Sequence, residues 1–455
     1  MSEVDAIFEP SGVILIGSSK LREKVGLSSP QLFRSVTYNM KKFFRGEVYV
    51  KDIEKGQDFE ALPKVPELAV IMLPPEKSID EAEKCAKMGV KALIMITGGY
   101  KDEQRQKLLR LKERHGVRIL GPNTVMGVIN TANGLNTTFE MDLMPKRGSI
   151  AVISQSGGVG ACLLDWACHY KIGISKFAFM GDKIDVDDID LLRYLAKDKE
   201  TRVICLYMEG VKNGRKFIEE ARKVVVKKPI LALKGGITQE SAYRAKSHTA
   251  SMAGSDEIFD AAFKKAGIIR VEDPEELLNA AIALSKQPPM FGDNIAIVSN
   301  VGGPAILAAD AVARINLKLA RLSDDTKRKI ESLHPGLDAT NPIDIIADAR
   351  ADRYKKILEL VLADKNVDGV LIINMLKSCF FEPEDARVIP EITAKYPNKP
   401  VVDVATGGED FVLVYRAIGE SNIPVYNLPE KGVKVLKILR TYGKILERLG
   451  KAQKN

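Results

Sequence analysis

Long apolar runs are missing from this sequence: no stretch of its 455 residues approaches the roughly 18 to 20 consecutive apolar positions that a membrane span needs. The opening MSEVDAIFEPSG is acidic and has no apolar core of the secretory type. These absences predict a soluble, cytoplasmic chain with no membrane partner. Cysteine is scarce too. Cys85, Cys162, Cys168, Cys205 and Cys379 sit singly in apolar segments, with no CxxC pair and no histidine at ligand spacing, so they read as reduced core thiols rather than disulfides or metal ligands. Lys and Arg total 68 against 60 Asp and Glu, a net charge of +8. The excess is dispersed, with neither a basic block nor interleaved aromatics, which argues against a nucleic-acid partner and leaves a mild attraction for small anions. Two nucleotide signatures are absent as well. No GxxxxGK[ST] occurs, so the chain shows no ATP site of its own, and VILIGSSKLREKVG at 13–26 keeps Gly17 but places Ser19 and Arg22 where GxGxxG requires glycine.

What is present is a repeated grammar of short Val- and Ile-rich runs alternating with stretches of helical period, the signature of parallel βαβ units. Length and 45% hydrophobic content predict two to four domains with ample cores. The first segment holds VILIG from Val13, GEVYV from Gly46, LAVIML from Leu68, ALIMIT from Ala92 and RILGP from Arg118, and closes at the basic joint MPKRG. The second holds SIAVIS from Ser149, ISKFAFMG from Ile174, RVICLYMEG from Arg202, PILALKGG from Pro229 and IIRV from Ile268. It ends at KQPPMFGD, whose adjacent prolines suit a linker. The third holds NIAIVSN from Asn294, NPIDII from Asn341, DGVLIIN from Asp368, PVVDVATGG from Pro400 and IPVYN from Ile423, then a helix carrying Val435, Leu436, Leu439, Leu446 and Leu449. The predicted class is α/β with three doubly wound parallel-sheet domains, at 1–146, 147–287 and 290–455.

The second and third segments open alike: SIAVISQSGGVGACLLDWA at 149–167 aligns with NIAIVSNVGGPAILAADAVA at 294–313. In each an apolar strand runs into two glycines and a helix. A helix start offers free backbone N–H groups and about half a positive charge, so Gly157 and Gly158, with the Ser154 and Ser156 hydroxyls, suit a phosphate. Asn300, Gly302 and Gly303 suit the same role in the second copy. The competing reading is two tight turns where helix packs closely on strand. A nucleophile elbow fits poorly, because GxSxG wants glycine where Ser154 stands. At the first strand end, Ser18, Ser19 and Lys24 suit another adenine-nucleotide ligand, or an ordinary helix cap.

Only four histidines occur. His115 and His169 read as helix ends and His334 as a loop residue. His248 lies in the long polar stretch KGGITQESAYRAKSHTASMAGSDEIFD, and Glu209 ends the strand RVICLYMEG, where parallel sheets gather functional groups. A carboxylate holding Nδ1–H would leave Nε2 as a nucleophile. The acidic run GDKIDVDDIDLL at 181–192 lacks the sixth-place glycine and closing glutamate of an EF-hand, and reads as a helix start rich in acids.

GPNTVMGVINTANGLNTTF at 121–139, SQSGGVG, GDKIDVDDIDLLRYLAKD, YMEG, SHTASMAGSD and GGEDFVLVYRAIGESNIPVYNLPE together give the chain its family likeness. It resembles the α-subunits of the ADP-forming acetate–CoA ligases, the archaeal branch of the NDP-forming acyl-CoA synthetases that include succinate–CoA ligase. The resemblance implies a Rossmann-like CoA-binding domain followed by two flavodoxin-like ligase domains. It implies that acyl-CoA, ADP and phosphate convert reversibly to acid, ATP and CoA through an acyl phosphate and a phosphohistidine at His248 supported by Glu209. It further implies coenzyme A contacts at Gly17, Ser18, Ser19, Lys24, Val25, Gly26, Pro74, Thr97 and Asn123. The nucleotide, ADP or ATP with Mg, would sit on an ATP-grasp β-subunit in an α2β2 assembly. A succinate–CoA ligase type enzyme and a non-catalytic CoA-binding module are the alternatives. Two stretches depart from the family pattern: KDIEKGQDFE after the second strand, where an Asn-Pro turn and a longer loop are usual, and NMLKSCFFEP at 374–383.

Overall fold

The computed structural model describes residues 4–20, 29–55, 62–238, 241, 256–375, 380–418 and 421–452. Within it the chain forms two compact units, Met1–Leu278 and Asn279–Asn455. The division falls inside the helix Pro274–Lys286, just before the proline pair at 288–289.

The first unit holds two sheets. The first is wholly parallel and comprises β1 (Gly12–Gly17), β2 (Glu47–Asp52), β3 (Leu68–Ile71), β4 (Ala92–Met95) and β5 (Arg118–Leu120), in the order β2-β1-β3-β4-β5. The second comprises β6 (Val128–Asn130), β7 (Leu135–Asn136), β8 (Arg147–Ser154), β9 (Ile174–Phe179), β10 (Val203–Met208), β11 (Ile230–Lys234) and β12 (Ile269–Val271), in the order β12-β11-β10-β8-β9-β6-β7. The second unit adds β13 (Asn294–Ser299), β14 (Lys318–Leu319), β15 (Ile343–Asp344), β16 (Gly369–Asn374), β17 (Val401–Ala405) and β18 (Val425–Tyr426), ordered β14-β13-β16-β17-β18, with β15 also paired to β13.

All three sheets follow one rule. The leading strand (β1, β8 or β13) lies inside the sheet, its successor is placed on one side, and the chain then crosses back to build outward on the other. That reversal opens a crevice beyond the carboxyl ends of β1 and β3, of β8 and β10, and of β13 and β16, where ligands bind in open α/β sheets. The strands carry near-continuous apolar runs because helices cover both faces: β1, β3, β4, β9 and β16 are buried at every position. The doubly wound α/β class expected from the sequence is the one observed.

β6, β7 and β14 were not foreseen, because strands of two or three residues have no period to detect. Residues 128–136, read as the tail of the first segment, join the second sheet instead: β6 pairs antiparallel with β9, and β7 pairs antiparallel with β6. The Asn- and Thr-rich stretch around them is a seam. The Asn130 and Asn133 amides both donate to the Phe8 carbonyl at 2.9 Å, and the buried Asn39 amide donates to the Thr138 and Glu140 carbonyls at 3.0 and 2.8 Å. Gly134, with φ +78°, passes so close to the Phe43 carbonyl that a Cβ has no room.

The expected C-terminal helix runs Pro429–Ala452 and buries Val435, Leu436, Leu439 and Leu449. Gly432 lets it settle on the sheet, since a Cβ there would lie 2.6 Å from Val404 and 2.7 Å from Leu371. Cys85 and Cys205 are buried as core thiols, but Cys162 is exposed, which corrects the expectation for that residue. It lies on the helix Gly157–His169, whose inward face is taken by Leu163, Leu164 and Ala167. Cys379 lies outside the described residues. Among the described residues no helix is long and apolar enough to cross a membrane.

Candidate functional site

The helix Gly157–His169 starts at the carboxyl end of β8. Ser154 is fully buried and works inside the turn: its hydroxyl donates to the Ser156 carbonyl at 2.6 Å and accepts from the Ser156 N–H at 3.1 Å. The expected role of Ser154 as a hydroxyl donor to phosphate is therefore replaced by a structural one. Ser156 is the N-cap, with its Oγ accepting from Val159 N–H at 3.4 Å. Gly160 must be glycine for the helix to approach the sheet, because a Cβ would lie 2.8 Å from the Phe177 ring. Gly158 is exposed, and a Cβ there would meet nothing within 4 Å. The Val159 and Gly160 N–H groups are taken by Ser156, whereas those of Gly157 and Gly158 have no partner among the described residues.

Gln155 was not singled out from the sequence, yet it organises this edge. Its Oε1 accepts the N–H groups of Glu209 and Gly210 at 2.8 and 3.1 Å, and its Nε2 donates to Asp188 Oδ1 at 2.7 Å and to the Gly210 carbonyl at 3.0 Å. Asp188 is ion-paired at 3.0 Å with Lys183, itself buried and bonded to the Gly210 carbonyl at 3.1 Å. Every polar atom of the Gln155 amide is thereby engaged, as a buried amide requires. Glu209 is fixed just past β10, beside the open helix start. Its Oε1 accepts from the Tyr207 hydroxyl at 3.4 Å. Burial, helped by the Glu209 charge, pushes the Tyr207 phenol up to about 12, so it remains a donor. Gly235 gives Tyr207 its room, because a Cβ there would clash with the phenol oxygen. Lys234 ends β11 on the same edge. His248 lies outside the described residues.

The acidic run divides into separate tasks. Asp187 caps the helix Asp188–Lys197, accepting from Ile189 and Asp190 N–H at 2.9 and 3.2 Å. Asp185 meets the Arg118 fork at 2.9 and 3.1 Å, Lys112 at 2.6 Å and the Ile119 N–H at 2.8 Å. The loop is laced to the first sheet by backbone bonds from Asp182, Ile184 and Val186 to Pro122, Gly121 and Ile119.

In the second unit β13 reproduces the first turn. The Ser299 hydroxyl donates to the Val301 carbonyl at 2.8 Å and accepts from its N–H at 3.1 Å. Asn300 takes the place of Gln155: its Oδ1 accepts from Met375 N–H at 3.0 Å and its Nδ2 donates to the Met375 carbonyl at 3.2 Å. The Asn300 amide is buried, and both of its polar atoms meet Met375 at the neighbouring strand end. Gly302 and Gly303 start the helix Gly302–Arg314, both exposed with open space before them. Register puts Met375 where the first copy has Glu209, so the repeat carries its carboxylate once. Alignment of the two strand ends was the signal that could have found Gln155.

In the first sheet the expected coenzyme A contacts gather at the carboxyl ends of β1, β3, β4 and β5, but several side chains are engaged internally. Gly17 gives room to the Phe33 ring. Ser18 donates to Glu54 Oε1 at 3.0 Å, and Ser19 donates to Asp52 through its hydroxyl at 2.5 Å and its N–H at 3.2 Å. The acids of the departing KDIEK stretch thus hold both serines. Buried Thr97 donates to the Leu73 carbonyl at 2.6 Å, and Pro74 stands at the N-cap position of the helix Pro75–Met88. Asn123, with φ +66°, donates to Asp182 Oδ1 at 3.4 Å. Lys24, Val25 and Gly26 lie outside the described residues.

Two family models match the chain: a CoA binding domain at residues 13–130 and a succinyl-CoA ligase like flavodoxin domain at residues 147–284. The chain is 35% identical, over 94% of its length and 95% of the relative's, to the Pyrococcus furiosus acetate–CoA ligase [ADP-forming] II subunit alpha. It is 37% identical to the Methanocaldococcus jannaschii acetate–CoA ligase [ADP-forming], matching over 97% of this chain and 63% of that longer protein. The structure of the Ca. Korarchaeum cryptofilum dinucleotide forming acetyl-coenzyme A synthetase 1 in complex with phosphate and ADP superposes with a TM-score of 0.86 at 29% identity, covering 99% of each chain.

Proposed function

The chain belongs to the family of ADP-forming acetate–CoA ligases, and we propose that it is an α-subunit converting acyl-CoA, ADP and phosphate reversibly to acid, ATP and CoA. Phosphate oxygen attacks the thioester carbonyl, forming an acyl phosphate and releasing CoA thiol. A nitrogen of His248 then takes the phosphoryl group, releasing the carboxylic acid, and ADP takes the phosphoryl group to become ATP. Such steps rely on positioning and on stabilising charge.

The observation that carries the reading is the Glu209 residue, its backbone anchored through Gln155 beside a helix start whose Gly157 and Gly158 N–H groups have no partner among the described residues. The glycine starts at Gly157–Gly158 and Gly302–Gly303 are read as holders of phosphate, Ser156 as their companion, and Glu209 as the support of the histidine. Coenzyme A is assigned to the crevice between β1 and β3. ADP with Mg is assigned to an ATP-grasp partner subunit, in keeping with the absence of a P-loop motif in this chain.

The test is labelling of the full chain with acetyl-CoA and radioactive inorganic phosphate. An acid-labile, base-stable label is expected, lost in His248→Ala and reduced at least tenfold in Glu209→Gln. Persistence of the label in His248→Ala overturns the assignment. An acid panel including acetate and succinate, run with the reconstituted complex, separates the acetate type from the succinate type.

A further inference from the structure

Four lysines are buried among the described residues, and three have a carboxylate partner. Lys51 pairs with Glu81 at 2.8 Å, Lys176 with Asp198 at 3.0 Å and Lys183 with Asp188 at 3.0 Å. The fourth is Lys234, only 6% exposed, which makes no ion pair among the described residues. Its ammonium donates to the carbonyl of Gly235 and lies 4.7 Å from the centroid of the Phe259 ring. Two of its three donors have no hydrogen-bond partner among the described residues. A desolvated ammonium without a counter-charge is unfavourable, so chains either pair such a group or place it where an anion arrives.

Its location favours the second. Lys234 is the last residue of β11, paired in register with Met208, so it stands one strand from Glu209 at the carboxyl edge of the sheet. The Glu209 and Asp256 charges act on it, yet burial prevails and holds the ammonium below its ordinary range. The open helix start after β8 is two strands away, roughly 10 Å at ordinary strand spacing. Tyr207 and Gly235 fill the ground between, with the phenol donating to Glu209 rather than to an incoming group.

We propose that Lys234 is a phosphoryl-binding residue: its free N–H donors take the oxygens of the phosphoryl group while that group lies beside Glu209, and inorganic phosphate binds there in the resting chain. The inference rests on the reading of this edge as the phosphoryl-transfer site. Lysine suits the task as a compact point charge with rotatable donors, balancing charge spread over the three oxygens in transfer. The sequence hint was a lysine closing the apolar run PILALKGG.

The test uses the full chain and three variants. With acetyl-CoA and saturating phosphate, Lys234→Met is expected to slow the appearance of acid-labile label at least thirtyfold with the acetyl-CoA KM within twofold. Lys234→Arg is expected to recover the rate to within about fivefold, and Phe259→Leu, which keeps the charge and removes the ring, to stay within threefold of wild type. Labelling of Lys234→Met at the wild-type rate overturns the proposal, and so does Phe259→Leu falling as far as Lys234→Met. Thermal unfolding with millimolar inorganic phosphate, without acyl-CoA, tests binding apart from turnover. Wild type is expected to rise by a few degrees and Lys234→Met by less than half as much. Equal shifts overturn the proposal, whereas wild type that binds phosphate yet takes no label overturns the functional reading alone.

Discussion

Gln155 and Glu209 are 54 residues apart in sequence and joined by a 2.8 Å hydrogen bond from the Glu209 N–H to the Gln155 Oε1. The same oxygen takes the N–H of Gly210, so one amide fixes the backbone that carries the candidate catalytic carboxylate.

Gln155→Leu should therefore act at a distance from the chemistry. It takes the Gln155 acceptor from the Glu209 and Gly210 N–H groups and one donor from Asp188, which keeps Lys183, at a cost of about 2 kcal/mol or more. Urea unfolding is expected to show that loss, and labelling to slow about tenfold.

Two glycines in one helix should behave oppositely. Gly160→Ala drives a Cβ to 2.8 Å from Phe177 and should cost about 1 to 3 kcal/mol, with Phe177→Leu as a second-site rescue. Gly158→Ala meets nothing within 4 Å, so its melting temperature should match wild type while the new methyl crowds the open N–H groups and weakens phosphate binding. A large drop in melting temperature for Gly158→Ala, as seen by calorimetry, would contradict this.

Asp185 is the acid at the seam with the first sheet. Burial alone would raise its pKa, but Arg118, Lys112 and the Ile119 N–H outweigh burial and hold the carboxyl below its ordinary value. Its contribution is fully present above the unfolded pKa, about 3.9, and is lost as pH falls through the lower folded value. Asp185→Asn should cost about 3 kcal/mol at neutral pH and flatten the acid limb of the stability curve, measured by urea titration from pH 7 down to 3.

Asp403 has the opposite sign. It is wholly buried in the second unit, its Oδ1 accepting from the Asn374 amide at 2.6 Å and its Oδ2 without a partner among the described residues. Burial pushes the carboxyl from 3.8 up to about 8. The folded state holds a proton there that the unfolded chain releases. Stability is thus full below the unfolded pKa and falls as pH rises toward 8, by roughly 1.4 kcal/mol per unit for one proton. Asp403→Asn should remove that slope and leave the chain more stable than wild type at pH 8. An unchanged slope in denaturant titrations would show that Asp403 is ionised in the fold.

Much of the scaffold was readable because parallel strands buried on both faces leave unbroken runs such as VILIG and VICLYM, and helix starts leave caps such as Ser156 and Asp187. β6 and β7 were not readable, because β6 pairs with β9 across the span from Asn130 to Lys176, β7 pairs with β6, and their own length carries no period. The internal repeat was visible in the letters, and it correctly placed two glycine starts at two strand ends. The roles of its polar members were not. Ser154 looks like a ligand in a string of residues, yet its hydroxyl is spent inside the turn, and the Asn300 amide meets Met375 on the neighbouring strand end.

Sequence by itself determined the α/β class, the strand ends where chemistry gathers and the family likeness, since these depend on local period and on residues close together in the chain. Only the tertiary structure decided which polar groups remain available to a ligand. Ser18 and Ser19 are taken by Glu54 and Asp52, Gln155 is taken by Glu209 and Gly210, and Lys234 keeps donors to spare. The physical reason is that a buried hydrogen-bonding group must find partners, and those partners come from strands brought side by side by the crossover, far apart in sequence.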